Sequence, residues 1–166
     1  MKTLDLIKSK IFNAEQLKHQ LEVWKFLGKK ISFTNGCFDI LHLGHIDYLA
    51  KAADFGNVLI LGLNTDSSVQ RLKGSHRPIN GQDQRAMIMA SLHFVDAVTF
   101  FDQDTPLELI KMIMPDFLIK GSDYKAEEIV GYREVTENGG KVVTIDFLPG
   151  YSTSIIEGKI LSSKKL

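Results

Sequence analysis

The sequence predicts an α/β fold in which five parallel strands form one doubly wound sheet. Its 166 residues are 44% hydrophobic and 24% charged, which is typical of a single globular domain of ordinary size. Short apolar runs alternate with amphipathic stretches about five times, the pattern of a parallel sheet with helices on both faces. The run at residues 58–63 is apolar throughout, as expected for a strand that is buried on both faces.

The predicted elements follow from apolar periodicity and from the Gly and Pro residues between them. The predicted strands are residues 30–35, 58–63, 97–101, 117–120 and 141–145. The predicted helices are residues 15–27, 43–55, 82–93, 106–114, 129–137 and 155–161. Residues 67–81 are polar and basic, and they predict a long loop after a short helical turn. The chain is therefore divided into an N-terminal helical extension at 1–28, a domain at 29–161 and a tail at 162–166.

Composition limits the classes of function. The formal net charge is zero, which argues against bulk attraction to nucleic acid or to an anionic membrane. Cys37 is the only cysteine, so the sequence allows no intrachain disulfide and no thiolate metal cluster. The first residues lack the apolar run of a signal peptide, and no stretch is apolar enough to span a bilayer. These features favour a cytoplasmic enzyme or binding protein without nucleic-acid or membrane partners.

The loops that directly follow the strands are the candidate site, because ligands of such sheets bind outside the carboxyl ends of the strands. These loops are residues 35–45, 64–77, 120–124 and 148–154.

The first of these loops has the strongest chemical signal. Gly36 permits a turn close to a ligand, and His42 and His45 stand at the start of the next helix. A helix N-terminus suits a phosphate group, and two imidazoles could donate hydrogen bonds to it. The common glycine-rich nucleotide signatures are absent from the sequence. A purely structural histidine pair or a metal pair remains the alternative.

Other polar residues in the strand-end loops have competing interpretations. Cys37 is expected to be a small packed residue rather than a nucleophile. Asp39 fits a role in fixing its loop, and Asn64 and Asp66 fit a ligand contact or the cap of a turn about equally. Arg85 is expected to pair with a carboxylate, with a phosphate contact as the alternative.

Residues 34–45, Thr-Asn-Gly-Cys-Phe-Asp-Ile-Leu-His-Leu-Gly-His, match the H-x-G-H signature of the cytidylyltransferase-like nucleotidyltransferases. Further matching segments follow in order at residues 62–69, 71–74, 77–79, 84–86, 95–98, 115–121 and 152–154. Together they resemble the branch of this family that acts on D-glycero-β-D-manno-heptose 1-phosphate, over about residues 13–160. The resemblance implies the Rossmann-like H-x-G-H nucleotidyltransferase fold, which agrees with the five-stranded sheet predicted above.

The resemblance also implies a reaction. AMP would pass from ATP to heptose 1-phosphate, giving ADP-heptose and pyrophosphate for the lipopolysaccharide core. Mg²⁺ would be held by the triphosphate, the chain would form a homodimer, and a separate sugar kinase would supply the acceptor. Two alternatives remain open: a cytidylyltransferase for glycerol 3-phosphate or a related alcohol phosphate, and a non-catalytic nucleotide sensor.

The resemblance assigns roles by position in the motifs. The implied catalytic residues are His42, His45 and Lys73. The implied nucleotide-binding residues are these three with Asn35, Gly36, Cys37, Phe38, Lys120, Gly121, Ser152, Thr153 and Ser154. The implied substrate-binding residues are Asp39, Asn64, Asp66, Arg77, Arg85 and Asp123, and no residue is assigned as a metal ligand. The chain departs from the family at Ser122, where heptose enzymes commonly have a second glycine, and at Ser154, where they have threonine.

Overall fold

The computed structural model describes residues 2–123 and 125–163, and within them five parallel strands form one sheet. The strands are β1 (Ile31–Gly36), β2 (Val58–Asn64), β3 (Ala97–Phe101), β4 (Phe117–Gly121) and β5 (Lys141–Ile145). Their order across the sheet is β3-β2-β1-β4-β5, and every neighbouring pair is parallel. The predicted α/β fold with a doubly wound, five-stranded parallel sheet is confirmed.

Helices cover both faces of this sheet. They are α1 (Thr3–Lys8), α2 (Ala14–Phe26), α3 (Leu43–Ala53), α4 (Asp66–Lys73), α5 (Gln82–Ala90), α6 (Leu107–Ile113), α7 (Tyr132–Glu137) and α8 (Thr153–Ser163), with a 3₁₀ turn at Ala126–Glu128. A short helix at the chain start, α1, was not predicted.

The core consists of two apolar layers that share the strands. On β2, Val58 and Ile60 pack with α2, α6 and α7, whereas Leu59 and Leu61 pack with α3 and α5 on the opposite face. Alternate side chains of a strand point to opposite faces, so a strand with helices on both sides must be apolar at every position. This explains the uninterrupted apolar run that predicted β2.

The strand order reverses between β1 and β4, which lie side by side in the middle of the sheet. The connections from β1 run to one side of the sheet and those from β4 to the other, so a crevice opens at their carboxyl ends. Asn35 near the end of β1 and Lys120 near the end of β4 face each other across this crevice. The crevice therefore lies beside the strand-end loops that the sequence singled out, and a ligand site there stays a prediction.

The short helical turn expected at the start of residues 67–81 is longer than predicted, because α4 occupies Asp66–Lys73. The Oγ1 atom of Thr65 accepts a hydrogen bond from the Ser68 backbone N–H at 3.3 Å, which caps the helix. Only Ser68 and Val69 of this helix are buried, so its sequence carries little apolar periodicity. Such a short, mostly exposed helix is difficult to distinguish from a loop by pattern.

The structure can be compared with the two predicted boundaries of the domain, at residue 28 and at residue 162. Leu17 and Leu21 of α2 are buried in the core, and the Phe12 backbone N–H donates to the Val98 carbonyl at 2.9 Å. The division at residue 28 stays a prediction. The predicted tail at 162–166 begins inside α8, which extends to Ser163, and residues 164–166 lie outside the described residues. None of the helices within the described ranges has the length and apolar character needed to cross a membrane.

Candidate active site

The two histidines of the first loop stack against each other at the start of α3. His42 is the N-cap residue of α3 and His45 lies in its first turn. Their ring centroids are 3.8 Å apart and their planes differ by 20°. Phe38 packs edge-on against His45 with a centroid separation of 5.3 Å, and its φ of 43° turns the loop sharply. The loop therefore holds both imidazoles in one fixed place beside the helix N-terminus.

Burial keeps these imidazoles uncharged. Burial lowers the pKa of His45 to about 4, with smaller contributions from the charges of His42 and Lys73, and burial also lowers the pKa of His42. The Nδ1 atoms of both rings are buried and have no hydrogen-bond partner among the described residues. Because both rings are neutral near pH 7, an incoming anion could stabilise their protonated forms.

A cavity of about 390 Å³ opens in front of the histidine pair. It is lined by Asn35, Gly36, Cys37, Phe38, Asp39, His45, Tyr48, Lys73, Lys120, Gly121, Asp123, Phe147 and Thr153. These residues come from the ends of β1 and β4 and the loops after them, from α3, from the end of α4, from the segment after β5 and from the start of α8. The tertiary fold thus collects most of the predicted nucleotide-binding residues into one place. The combination of Lys73, Lys120 and a helix N-terminus suits a polyanion.

Lys120 is the most buried cation of this central cavity. Its ammonium group donates a hydrogen bond to the Asn35 side-chain oxygen. Burial lowers the pKa of Lys120 to about 8, although the charges of Asp123 and Cys37 act in the opposite direction. A partly desolvated ammonium of this kind gains more from an anionic ligand than a solvated one does.

The start of α8 contributes a second helix N-terminus to the site. The Oγ atom of Ser152 accepts a hydrogen bond from the Ile155 backbone N–H at 3.2 Å, as expected for an N-capping hydroxyl. Thr153 lines the central cavity, whereas Ser154 is exposed and does not line any of the three cavities described at this edge. The predicted hydroxyl cluster is therefore divided between cavity and surface.

Two smaller cavities adjoin the central one on opposite sides. One, of about 250 Å³, is here called the side cavity; it shares Asn35 and Lys120 with the central cavity, and its other lining residues are Asn64, Leu72, Phe101, Asp104, Thr105, Pro106, Glu128, Ile129 and Val130. The other, of about 320 Å³, is called the Tyr151 cavity and is lined by His42, Gly44, His45, Phe147, Leu148, Tyr151, Ser152 and Thr153. The central cavity shares lining residues with each of the other two, and the three cavities are together called the crevice.

Tyr48 and Phe147 line the central cavity, but the sequence did not indicate them. The Tyr48 hydroxyl hydrogen-bonds to Thr34 Oγ1 at 2.8 Å, and burial raises the pKa of Tyr48 to about 12. Phe147 stacks near Tyr48 and covers Gly121 so closely that an added Cβ on Gly121 would lie 2.0 Å from its ring. Phe147 lies two residues after the end of β5, so its position near a strand end was the available signal.

Among the residues expected to bind substrate, Arg85 is the one whose predicted role the structure contradicts most clearly. Its side chain is 0% exposed, so it cannot contact a ligand in this conformation. Its guanidinium donates to the carbonyls of Cys37 at 2.7 Å, Asn64 at 2.8 Å and Asn80 at 3.1 Å, and to the Asp66 carboxylate at 2.8 Å. Arg85 therefore fixes the backbone of the loops that follow β1 and β2 from the buried side of those loops.

Of the other residues expected to bind substrate, three form ion pairs and the remaining two line a cavity. Asn64 lines the side cavity and Asp123 lines the central one. Asp66 pairs with Arg85, and Asp39 and Arg77 form an ion pair at 2.8 Å in which both side chains are almost fully buried. Asp123 precedes Tyr124 of the motif at residues 120–124, and Tyr124 lies outside the described residues. Direct contacts from Asn64 and Asp123 remain predictions.

A stacked imidazole pair at a helix N-terminus, with two lysines lining the adjoining cavity, lies at the switch point of a parallel sheet, an arrangement that suits a ligand carrying phosphate groups. Residues 33–159 match the sequence profile of the family described as cytidylyltransferase-like. The chain belongs to the cytidylyltransferase-like family, and the prediction of a nucleotidyltransferase is confirmed.

Several curated relatives share high identity with the chain. It is 51% identical to the bifunctional protein HldE of Citrifermentans bemidjiense over 155 residues, which are 93% of this chain and 32% of that protein. It is 54% identical to the bifunctional protein HldE of Campylobacter jejuni subsp. jejuni serotype O:6 over 157 residues, 95% of this chain and 32% of that protein. The chain thus spans about a third of the length of the curated relatives it matches.

Solved structures resemble the fold. A lipopolysaccharide core biosynthesis protein from Thermoplasma volcanium superposes with a TM-score of 0.60 and 27% identity, covering 73% of this chain and 98% of that one. A pantoate-β-alanine ligase from Francisella tularensis superposes with a TM-score of 0.59 over 94% of this chain and 79% of that one. At 16% identity, the second likeness shows the fold alone.

Replacing Arg85 should destabilise the protein. Arg85→Met removes the hydrogen-bond donor of the Asp66 carboxylate and of three backbone carbonyls, among them those of Cys37 and Asn64. The expected loss in free energy of unfolding is about 3 kcal/mol, measured by urea denaturation. The matched control is Arg71→Met, because Arg71 is exposed and pairs with exposed carboxylates, and it should cost less than about 1 kcal/mol. Equal effects of the two substitutions would contradict the role given to Arg85.

The low pKa of His45 should make stability depend on pH. Between the folded pKa of about 4 and the ordinary value of 6.5, the unfolded chain binds more protons than the folded one. The free energy of unfolding should therefore fall as pH falls from 6.5 towards 4. The upper limit of this fall is about 3 kcal/mol, and the measured fall should be smaller because the imidazole is partly exposed to solvent. Urea denaturation of wild type and His45→Asn should show a flatter pH dependence for the variant. His19→Asn, at an exposed site, is the control and should keep the wild-type slope.

Proposed function

We propose that this chain transfers AMP from ATP to D-glycero-β-D-manno-heptose 1-phosphate, giving ADP-heptose and pyrophosphate. The observation that carries the proposal is the central cavity, in which His45, Lys73, Lys120 and Thr153 surround one space large enough for a triphosphate. The heptose acceptor is supported by the ordered motifs of the sequence. It is also supported by the likeness to a lipopolysaccharide core biosynthesis protein and by the identity of about half with the bifunctional relatives.

In the proposed complex the triphosphate of ATP occupies the central cavity. The α-phosphate lies against His45, and the β- and γ-phosphates reach the start of α8 near Thr153. Backbone N–H groups and the positive end of the helix dipole favour negative charge there. The nucleoside then enters the Tyr151 cavity, whose aromatic and apolar walls suit a base.

The acceptor sugar phosphate occupies the side cavity. Lys120 is the only Lys, Arg or His among the residues lining this cavity, and it stands at the junction with the central cavity. The acceptor phosphate therefore binds at Lys120, beside the α-phosphate of ATP. Asn64, Thr105 and Glu128 line the rest of the space and can hydrogen-bond to sugar hydroxyls.

The reaction follows from this placement. An oxygen of the acceptor phosphate attacks the α-phosphorus, the bond from that phosphorus to the β-phosphate oxygen breaks, and pyrophosphate leaves. Negative charge shifts onto the leaving group and the equatorial oxygens, where His45 and Lys73 can stabilise it. No protein nucleophile is needed, because both substrates bring the reacting oxygens. Catalysis then depends on positioning and electrostatics.

Mg²⁺ belongs to the substrate in this proposal. Within the described residues, no group of three or more His, Cys, Asp or Glu side chains is arranged to hold a metal ion. Mg²⁺ bound to the triphosphate would supply charge neutralisation there, and Lys73 and Lys120 would neutralise further phosphate charge. A homodimer, a cytoplasmic location and a separate sugar kinase that makes the acceptor remain predictions of the sequence.

A panel of nucleotides and acceptors tests the proposal, with pyrophosphate release as the readout. ATP with D-glycero-β-D-manno-heptose 1-phosphate and Mg²⁺ should give turnover well above every other pair. Turnover only with CTP and glycerol 3-phosphate would replace the proposal by a cytidylyltransferase. Tight ATP binding without pyrophosphate release from any acceptor would indicate a nucleotide sensor.

His45→Asn should reduce kcat far more than it weakens ATP binding. The contact to the α-phosphate strengthens as charge shifts in the transition state, so the expected loss is about 10²–10³ in kcat. Steady-state kinetics and calorimetric binding of ATP separate the two effects. His19→Asn is the control. A variant that binds ATP poorly but keeps its kcat would contradict this role for His45.

A further inference from the structure

We propose that Arg77 is a positioning residue that holds the histidine loop and helix α8 in register by bridging Asp39 and Glu157. The inference rests on the proposed function, because it assigns α8 to the β- and γ-phosphates. It replaces the direct substrate contacts that the sequence suggested for Arg77 and Asp39. Arg77 lines none of the three cavities of the crevice, so its influence on the reaction has to pass through other residues.

Asp39 connects Arg77 to the histidine loop. Its carboxylate accepts hydrogen bonds from Arg77 Nη1 at 2.8 Å and from the backbone N–H groups of Ile79 at 2.9 Å and Asn80 at 2.8 Å. In return, the Asn80 side-chain amide donates to the Asp39 carbonyl at 2.6 Å. Residues 77–80 are thus joined to the loop that ends in His42.

These contacts at Asp39 are buried and charged. The side chains of Asp39 and Arg77 are 3% and 11% exposed. Burial acts to raise the pKa of Asp39, but the backbone hydrogen bonds and Arg77 outweigh it, and the pKa lies below its ordinary value. Removing one member of such a pair leaves the other charge buried without a partner, which weakens the local structure strongly.

Glu157 connects Arg77 to α8. The second guanidinium nitrogen, Nη2, donates to Glu157 Oε1. Glu157 lies four residues, about one helical turn, after Thr153, so the contact is about 6 Å along the axis from the phosphate-facing end. Fixing Glu157 therefore fixes the position of the α8 N-terminus relative to the central cavity.

Helix α8 has few other attachments. It has no buried residue, and Ile155, Ile160 and Leu161 are exposed. Among the hydrogen bonds found within the described residues, the Arg77–Glu157 contact alone joins the body of α8 to the rest of the fold. An element with so little buried surface depends on its specific contacts for its position.

Arg77 thus connects the two parts of the proposed triphosphate site. His45 at one end and Thr153 at the other both line the central cavity, and Arg77 contacts neither of them. If the bridge is lost, α8 is expected to move away from the β- and γ-phosphates while the α-phosphate contacts remain. The effect should therefore be selective for ligands that carry those two phosphates.

Calorimetric binding of ATP, inorganic pyrophosphate and AMP to Glu157→Gln tests this selectivity. Glu157 is about one-third exposed, so this variant should keep its fold. Affinity for ATP and pyrophosphate should fall roughly 5- to 30-fold, whereas affinity for AMP should change less than about 2-fold. The matched control is Glu137→Gln, which removes the exposed ion pair with Arg133 and should change none of the three.

A double-mutant cycle tests the bridge itself. Arg77→Met should weaken ATP binding at least as much as Glu157→Gln, and the double variant should be no weaker than Arg77→Met alone. Additive losses would show that the two residues act independently and would overturn the inference. So would ATP binding that is unchanged in Glu157→Gln, or a loss that extends equally to AMP. If the wild type itself does not bind ATP, the proposed function fails, and the inference that rests on it fails with it.

Discussion

The buried guanidinium of Arg85 is the interaction on which the geometry of the site depends. It is fully buried and donates to the carbonyls of Cys37, Asn64 and Asn80. Those carbonyls belong to three separate segments that meet at the carboxyl edge of the sheet. A buried cation requires several partners, so these segments cannot move apart without leaving it unpaired. The loop that contains the histidine pair is fixed as a consequence.

The side chains that line the site next to Arg85 favour a negatively charged ligand. Burial keeps His45 neutral and lowers the pKa of Lys120 to about 8, so the free protein pays part of the cost of desolvating these groups before a ligand binds. An anion that enters then interacts in a region of low dielectric, where each contact is stronger than in water. The same burial that disfavours charge on the imidazoles therefore also strengthens any contact that they make with an anion.

Lys120 divides the crevice into its two proposed parts. It belongs to both the central cavity and the side cavity, and the strand reversal between β1 and β4 places it there opposite Asn35. A donor phosphate and an acceptor phosphate that both contact one ammonium group must lie close together, which favours attack of one on the other. The position of the cation in the fold, more than its charge alone, makes transfer between two phosphates the best-supported chemistry.

The sequence by itself determined the parallel sheet, because strands buried on both faces tend to be continuous apolar runs, as β2 is. It also determined the histidine pair at a helix start, since those residues lie three apart in the chain. It predicted only a short helical turn where α4 lies and not the full length of that helix, whose exposed surface leaves little periodicity. Only the tertiary structure decided that Arg85 is a buried support, that Phe147 lines the cavity, and that Arg77 joins Asp39 to Glu157. These contacts link residues far apart in the chain, and no local pattern records which distant partner a charged side chain will find.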